Sequence, residues 1–99
     1  MPTEPGAEAP SNTMATYKIL YWQEVPSQIR VEDDDGGEVN LEMPQKFMVR
    51  IDALAAQRGL SGADDYLAQW RWSDEEERDG SAGDVAEAVR RELEAQADW

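Results

Sequence analysis

Neither cysteine nor histidine occurs in this 99-residue chain, and the two absences remove much of ordinary active-site chemistry. Without cysteine there are no disulfide staples, thiolate nucleophiles, iron–sulfur ligands or cysteine-based zinc sites. Without histidine the commonest general base and the Ser-His-Asp arrangement are gone as well. Carboxylates, tyrosines and a few arginines remain for catalysis. Positive charge is also scarce: 9 Lys and Arg stand against 22 Asp and Glu, a net charge of −13. Such a balance repels phosphate backbones and anionic lipid surfaces, so nucleic acid is not an expected partner. The same bias fits genome composition or a salty cytoplasm. No run approaches the roughly 20 apolar residues that span a bilayer, and the chain does not open with a basic segment leading into an apolar one. The expectation is no membrane and a cytoplasmic location.

The length leaves room for one domain with one modest core. Residues 1–15 are rich in proline and polar groups with almost nothing apolar, a composition that cannot repay its ordering entropy. They are expected to be a disordered tail ahead of a single domain over 16–97. Met14, directly before Ala-Thr-Tyr, marks a second candidate start codon.

The most apolar stretch, Tyr17-Lys18-Ile19-Leu20-Tyr21-Trp22-Gln23-Glu24-Val25-Pro26, reads as the first and central strand. Its alternate faces, Tyr17, Ile19, Tyr21 and Lys18, Leu20, Trp22, both carry apolar groups, so each asks for a cover. Val25-Pro26-Ser27 reads as a turn. Ile29 and Val31 then alternate with polar neighbours, Asp33-Asp34-Asp35-Gly36-Gly37 signals a reversal, and Val39, Leu41 and Met43 resume the alternation. The expected fold class is α+β, a three-stranded antiparallel β-meander followed by three helices packed on it.

Pro44 opens the first helix, with Phe47, Ile51, Leu54, Ala55 and Arg58 at helical spacing, Met48 widening the stripe and Gly59 as the stop. Ser61 and Asp64 have the spacing of a cap for a short second helix with Tyr66, Leu67 and Trp70 inward. Trp70 and Trp72 cannot both face one core from a continuing helix, because positions two apart point about 200° from each other. Ser73 to Gly80 reads as an acidic link. Ser81 and Asp84 repeat the cap signal, and Ala82, Val85, Ala86, Val89 and Leu93 form the stripe of the third helix. Trp99 falls beyond the periodic run and reads as loose.

Two acidic clusters invite chemistry. Glu32-Asp33-Asp34-Asp35-Gly36 suggests calcium, but aligning Gly36 with the loop glycine of an EF-hand places Val31 at the first ligand position and strands on both flanks. A solvated hairpin tip is the better reading. Glu75, Glu76 and Glu77 could serve acid–base catalysis, yet they fall in the most polar segment with no pocket implied. No catalytic residue, cofactor site or metal site is assigned. The aromatic set Tyr21, Trp22, Trp70 and Trp72, with Gln23 and Arg71 beside it, pairs large apolar area with hydrogen-bond donors, as binding hot spots do. These six residues form the candidate interaction surface.

The run Tyr-Lys-Ile-Leu-Tyr-Trp-Gln-Glu-Val-Pro-Ser-Gln-Ile-Arg over 17–30, the acidic Asp-Gly turn, the helix opening at Pro44, and Tyr66-Leu67 followed by Trp70-Arg71-Trp72 resemble the small bacterial "virulence factor" domain family. The resemblance covers about residues 16–95. In that family the domain occurs alone or ahead of HEAT-like repeats, as in conserved virulence factor C, and membership implies no enzymatic activity, cofactor or catalytic residue. Single-domain members are associated with gene neighbourhoods for folate-linked one-carbon metabolism. Surplus aromatic area with no catalytic set motivates a non-catalytic domain that docks onto an unknown protein partner or itself, consistent with the resemblance. The alternative it implies is an accessory or small-molecule-binding module of a one-carbon enzyme system. A third reading, an acidic mimic of nucleic acid, rests on net charge alone.

Overall fold

The structure, a computed structural model, describes residues 13–99. Residues 1–12, most of the expected tail, lie outside the described residues. Strand β1 spans Met14–Trp22 and β2 spans Val25–Asp33. The folded part thus begins before position 16, and Ala15 has no exposed surface. Its neighbours are tied on both sides: the Gly80 N–H donates to the Thr13 carbonyl at 2.8 Å, and the Asp34 N–H to that of Met14 at 3.0 Å.

The first hairpin turns at Gln23 and Glu24, not at Val25-Pro26-Ser27. Trp22 pairs with Val25, and Gln23 takes a φ of 52°, the positive sign that two-residue hairpin loops demand. Pro26 lies inside β2. Tyr21 faces Pro26 while Leu20 faces Gln28, so Ser27 is the extra residue of a bulge, a place where a residue without an N–H is tolerated. Strand β3, Glu38–Glu42, completes the antiparallel meander.

The sheet does not stop at three strands. After helices α1 (Gln45–Gln57) and α2 (Ala63–Leu67) the chain returns as β4, Trp70–Trp72, and β5, Glu76–Asp79, before helix α3, Ala82–Gln96. Both short strands pair antiparallel with the free edge of β1, making a five-stranded sheet with β1 in its interior. Ser73 bridges the break between them: its N–H donates to the Ile19 carbonyl at 2.8 Å, and its Oγ accepts the Ile19 N–H at 2.9 Å. The segment read as an acidic link is an edge strand, and it forms because the β1 backbone needs partners there.

One sheet face makes the core. Ile19, Ile29 and Val31 cluster with Phe47, Ile51, Leu54 and Ala55 of α1 and with Ala82, Val85, Ala86, Val89 and Leu93 of α3, the stripes expected from helical spacing. The α1 stripe is narrower than expected, since Met48 is exposed. Arg58 leaves the core to meet the first hairpin. Gly59, at φ 69°, ends α1 in a Schellman motif, with the Leu60 N–H reaching the Ala55 carbonyl at 2.8 Å. Ser81 caps α3, its Oγ accepting the Asp84 N–H at 3.2 Å. Ser61 does not cap α2, whose N-cap is Gly62, and Leu67 points outward.

The β2–β3 turn is organised by Asp33. Its Oδ1 accepts the N–H groups of Asp35 and Gly37 at 3.0 and 2.7 Å, and its Oδ2 accepts the N–H of Ala82 at 2.8 Å. One carboxylate thereby shapes a turn and anchors the positive end of α3. The Ala82 bond, then those of Gly37 and Asp35, hold its carboxyl below the ordinary 3.8. Because the folded-state value is depressed, this stabilisation is present above pH 3.8 and is lost as pH falls below it. A Cβ at Gly37 would lie 2.7 Å from Asp33 Oδ2. Gly37→Ala should therefore displace the carboxylate, lower the melting temperature by several degrees and flatten the loss of stability on acidification, as Asp33→Asn should. Thermal melts across the acid range check both; a Gly37→Ala profile identical to wild type would show that the turn absorbs the methyl.

Candidate functional site

Register places the six expected surface residues side by side at one end of the β1–β4 ladder. Trp22 pairs with Trp70, Tyr21 with Arg71, and Leu20 with Trp72. In a strand, residues two apart share a face, so Trp70 and Trp72 point the same way and the helical conflict between them disappears. The set divides between the two faces all the same. Trp22 has no exposed surface. Its Nε1–H donates to the Tyr66 carbonyl at 2.9 Å, its ring lies 5.6 Å from that of Tyr66, and Trp70 meets Tyr66 edge-on at 6.0 Å. Trp22 is thus a core residue sealed by α2, and Trp70 is half-buried beside it. Trp72 remains, 41% exposed.

Beyond the end that α2 covers at Trp22, none of the side chains around Trp72 on the face opposite Ile19 and Ile29 is buried. Directly opposed residues project together, which gives cross-strand rows of Trp72, Leu20, Gln28 and Glu42; of Lys18, Arg30 and Asn40; and of Glu77, Thr16, Glu32 and Glu38. Lys18 and Arg30 are like charges in direct opposition, an arrangement that costs stability. The Lys18 ammonium lies 4.7 Å from the centroid of Trp72. Thr16, Lys18, Arg30, Glu32 and Glu75 line a shallow hollow of about 230 Å³ on this face. Sequence reasoning did not single out Lys18 and Arg30, because their pairing depends on the Gln23–Glu24 turn and the bulge at Ser27, neither of which it expected.

Gln23 and Arg71 serve the hairpin tip. The Gln23 N–H reaches the Gln69 carbonyl at 3.3 Å, its side-chain amide donates to Gln69 Oε1 at 3.0 Å, and Arg71 donates to the Gln23 carbonyl at 3.3 Å. Arg58 adds a bond to Gln23 Oε1 and a bidentate pair with Glu24 at 2.9 and 2.8 Å. These contacts hold Gln23 in its positive-φ conformation. The Arg71 guanidinium stacks over Tyr21, 5.1 Å from its centroid. The Arg58 bonds pull the Glu24 carboxyl from 4.5 to about 2, so the pair stabilises the fold above pH 4.5 and loses that contribution as pH falls toward about 2. Glu24→Gln should remove this component of acid unfolding. Because the pair is solvent-screened, with Glu24 60% exposed, the loss at neutral pH should be at most about 1 kcal/mol. Urea titrations at neutral and acid pH check it.

A second cavity lies on the core side. Tyr21, Pro26, Phe47, Arg50, Leu54 and Trp99 are among the residues lining a cleft of about 340 Å³ between the first hairpin, α1 and the end of α3. Trp99 is not loose: its ring meets Phe47 edge-on at 4.7 Å, with Arg50 5.5 Å and Lys46 5.9 Å from its centroid.

The acidic clusters have structural work. Asp33 is committed to three N–H groups, and among the described residues no group of three His, Cys, Asp or Glu is arranged to hold a metal ion. Glu76 accepts the Tyr17 hydroxyl at 3.2 Å; burial, then the Glu76 charge, raises the Tyr17 pKa. Arg78 of β5 pairs with Glu92 of α3 at 2.8 Å. No helix among the described residues is long and apolar enough to cross a membrane.

A family model described as virulence factor matches residues 20–98, from the end of β1 through the whole of α3. The chain belongs to the virulence factor family. No curated protein and no solved structure matches it. The virulence factor match takes in Trp72, Arg30, Arg50 and the full hairpin tip, while Thr16 and Lys18 of the open face and Trp99 of the cleft lie outside it.

Proposed function

We propose that this virulence factor domain is a non-catalytic docking module that binds a protein partner through its open sheet face. The observation that carries the reading is Trp72, 41% exposed, with Leu20 beside it and the paired cations Lys18 and Arg30 in the next row. A like-charge pair in a chain of net charge −13 is a local exception that an arriving carboxylate would relieve. The partner segment accordingly brings an apolar side chain to Trp72 and Leu20 and an acidic group to Lys18 and Arg30.

Affinity purification from the source organism, run with wild type, Trp72→Ala and Lys18→Glu, tests this. Each substitution lies outside the core and should leave the melting temperature within a few degrees while the same partner is lost from both variants. If both folded variants retain every partner recovered by wild type, the open face is not the docking surface.

A further inference from the structure

The cleft on the core side holds an arginine whose Nε is unpaired, although its charge already acts on Glu24. Nε of Arg50 is buried and has no hydrogen-bond partner among the described residues, and Arg50 takes part in none of the ion pairs found there. Buried donors are nearly always satisfied, and one that is not points to an unmet partner. Glu24, a neighbouring carboxylate in the lining, is occupied by Arg58 at 2.8 Å. Around the guanidinium, Trp99 at 5.5 Å, Phe47, Leu54 and Pro26 share the lining with the polar Gln96 and the acidic Glu24 and Asp98. A cavity of about 340 Å³ is within the range that takes a small organic ligand. Lys46, one helical turn before Arg50, adds a second cation against Trp99.

We infer that this cleft binds a small monocarboxylate with an aromatic body, its carboxylate taken side-on by Arg50 and its ring set against Trp99. The fork geometry of a guanidinium matches a carboxylate through Nε and one terminal nitrogen together, which satisfies the buried donor. Engagement turns Arg50 relative to Trp99, because Nε is closed to water as it stands. The site is separate from the open face and takes a different class of ligand.

The test is a titration of the isotope-labelled domain with phenylacetate and, in parallel, with its neutral amide phenylacetamide, followed by the Arg50 Nε–H and Trp99 indole resonances. Saturable shifts confined to the cleft are expected with the acid, with the amide at least about tenfold weaker because it forfeits the charge-assisted bonds. Trp72→Ala should bind the acid as wild type does, and Arg50→Gln should lose it by a similar tenfold or more. Equal binding of acid and amide by wild type overturns the inference, as does the absence of saturable shifts at millimolar probe. Both outcomes stand whether or not Arg50→Gln folds.

Discussion

Trp22→Ala should destabilise the domain by about 3–5 kcal/mol, the range for truncating a buried tryptophan. Trp22 has no exposed surface, lies in the interior strand, and takes neighbours from both sides of the ladder, Val25 and Trp70. Its removal leaves a cavity at the place where α2 is joined to the sheet. In a small domain, whose total stability is of the order of 5–15 kcal/mol, that loss is a large share of the total. Trp22→Phe keeps most of the ring but deletes the donor to the Tyr66 carbonyl, and should cost about 1–3 kcal/mol. Urea denaturation followed by far-ultraviolet circular dichroism separates the three proteins. A Trp22→Ala variant with a wild-type midpoint would mean that the tryptophan is not in the core.

Phe47→Ala should be comparably severe, about 3–5 kcal/mol, and should add a local signature. Phe47 is 1% exposed on the inner stripe of α1 and supports Trp99 edge-on, so its loss opens the core and lets the cleft wall move. The Trp99 indole resonance should shift toward its solvent-exposed position in whatever folded fraction remains. Met48→Ala, one position along the same helix but exposed, should stay within about 0.5 kcal/mol of wild type. Equal effects at the two positions would overturn the helix phase itself.

These two sites were legible to different degrees before any fold was known. The α1 and α3 stripes were readable because a helix writes its buried face into the sequence every third or fourth residue, and Phe47, Ile51, Leu54, Val85, Val89 and Leu93 are buried as that spacing requires. The meander was readable from Ile29, Val31, Val39 and Leu41, which alternate. Trp22 was recognised as important but placed on a binding surface. Strand alternation names the face a residue takes and is silent on what covers that face. Its cover, Tyr66, arrives from 44 residues away.

The remaining errors share one physical origin. Glu76 to Asp79 has no alternating apolar pattern and pairs with β1 only because an interior strand leaves backbone groups that must be bonded. The turn at Gln23 carries no glycine or asparagine signal; its positive φ is held by bonds from Gln69, Arg58 and Arg71, all remote in sequence. Pro26 looked like a turn because its chemistry forbids a regular ladder position, which a bulge also satisfies.

By itself the sequence determined the α+β class, the two long helices with their buried faces and the exclusion of cysteine- and histidine-based chemistry, since each follows from composition or local period, and it carried the family through the motifs that resemble it. Tertiary structure alone decided that Trp22 is core while Trp72 is surface, that an acidic segment is an edge strand, and that Arg50 and Trp99 share a cleft. Those outcomes depend on which distant groups satisfy a backbone edge, cover a ring or leave a guanidinium unpaired, and no local pattern of residues records them.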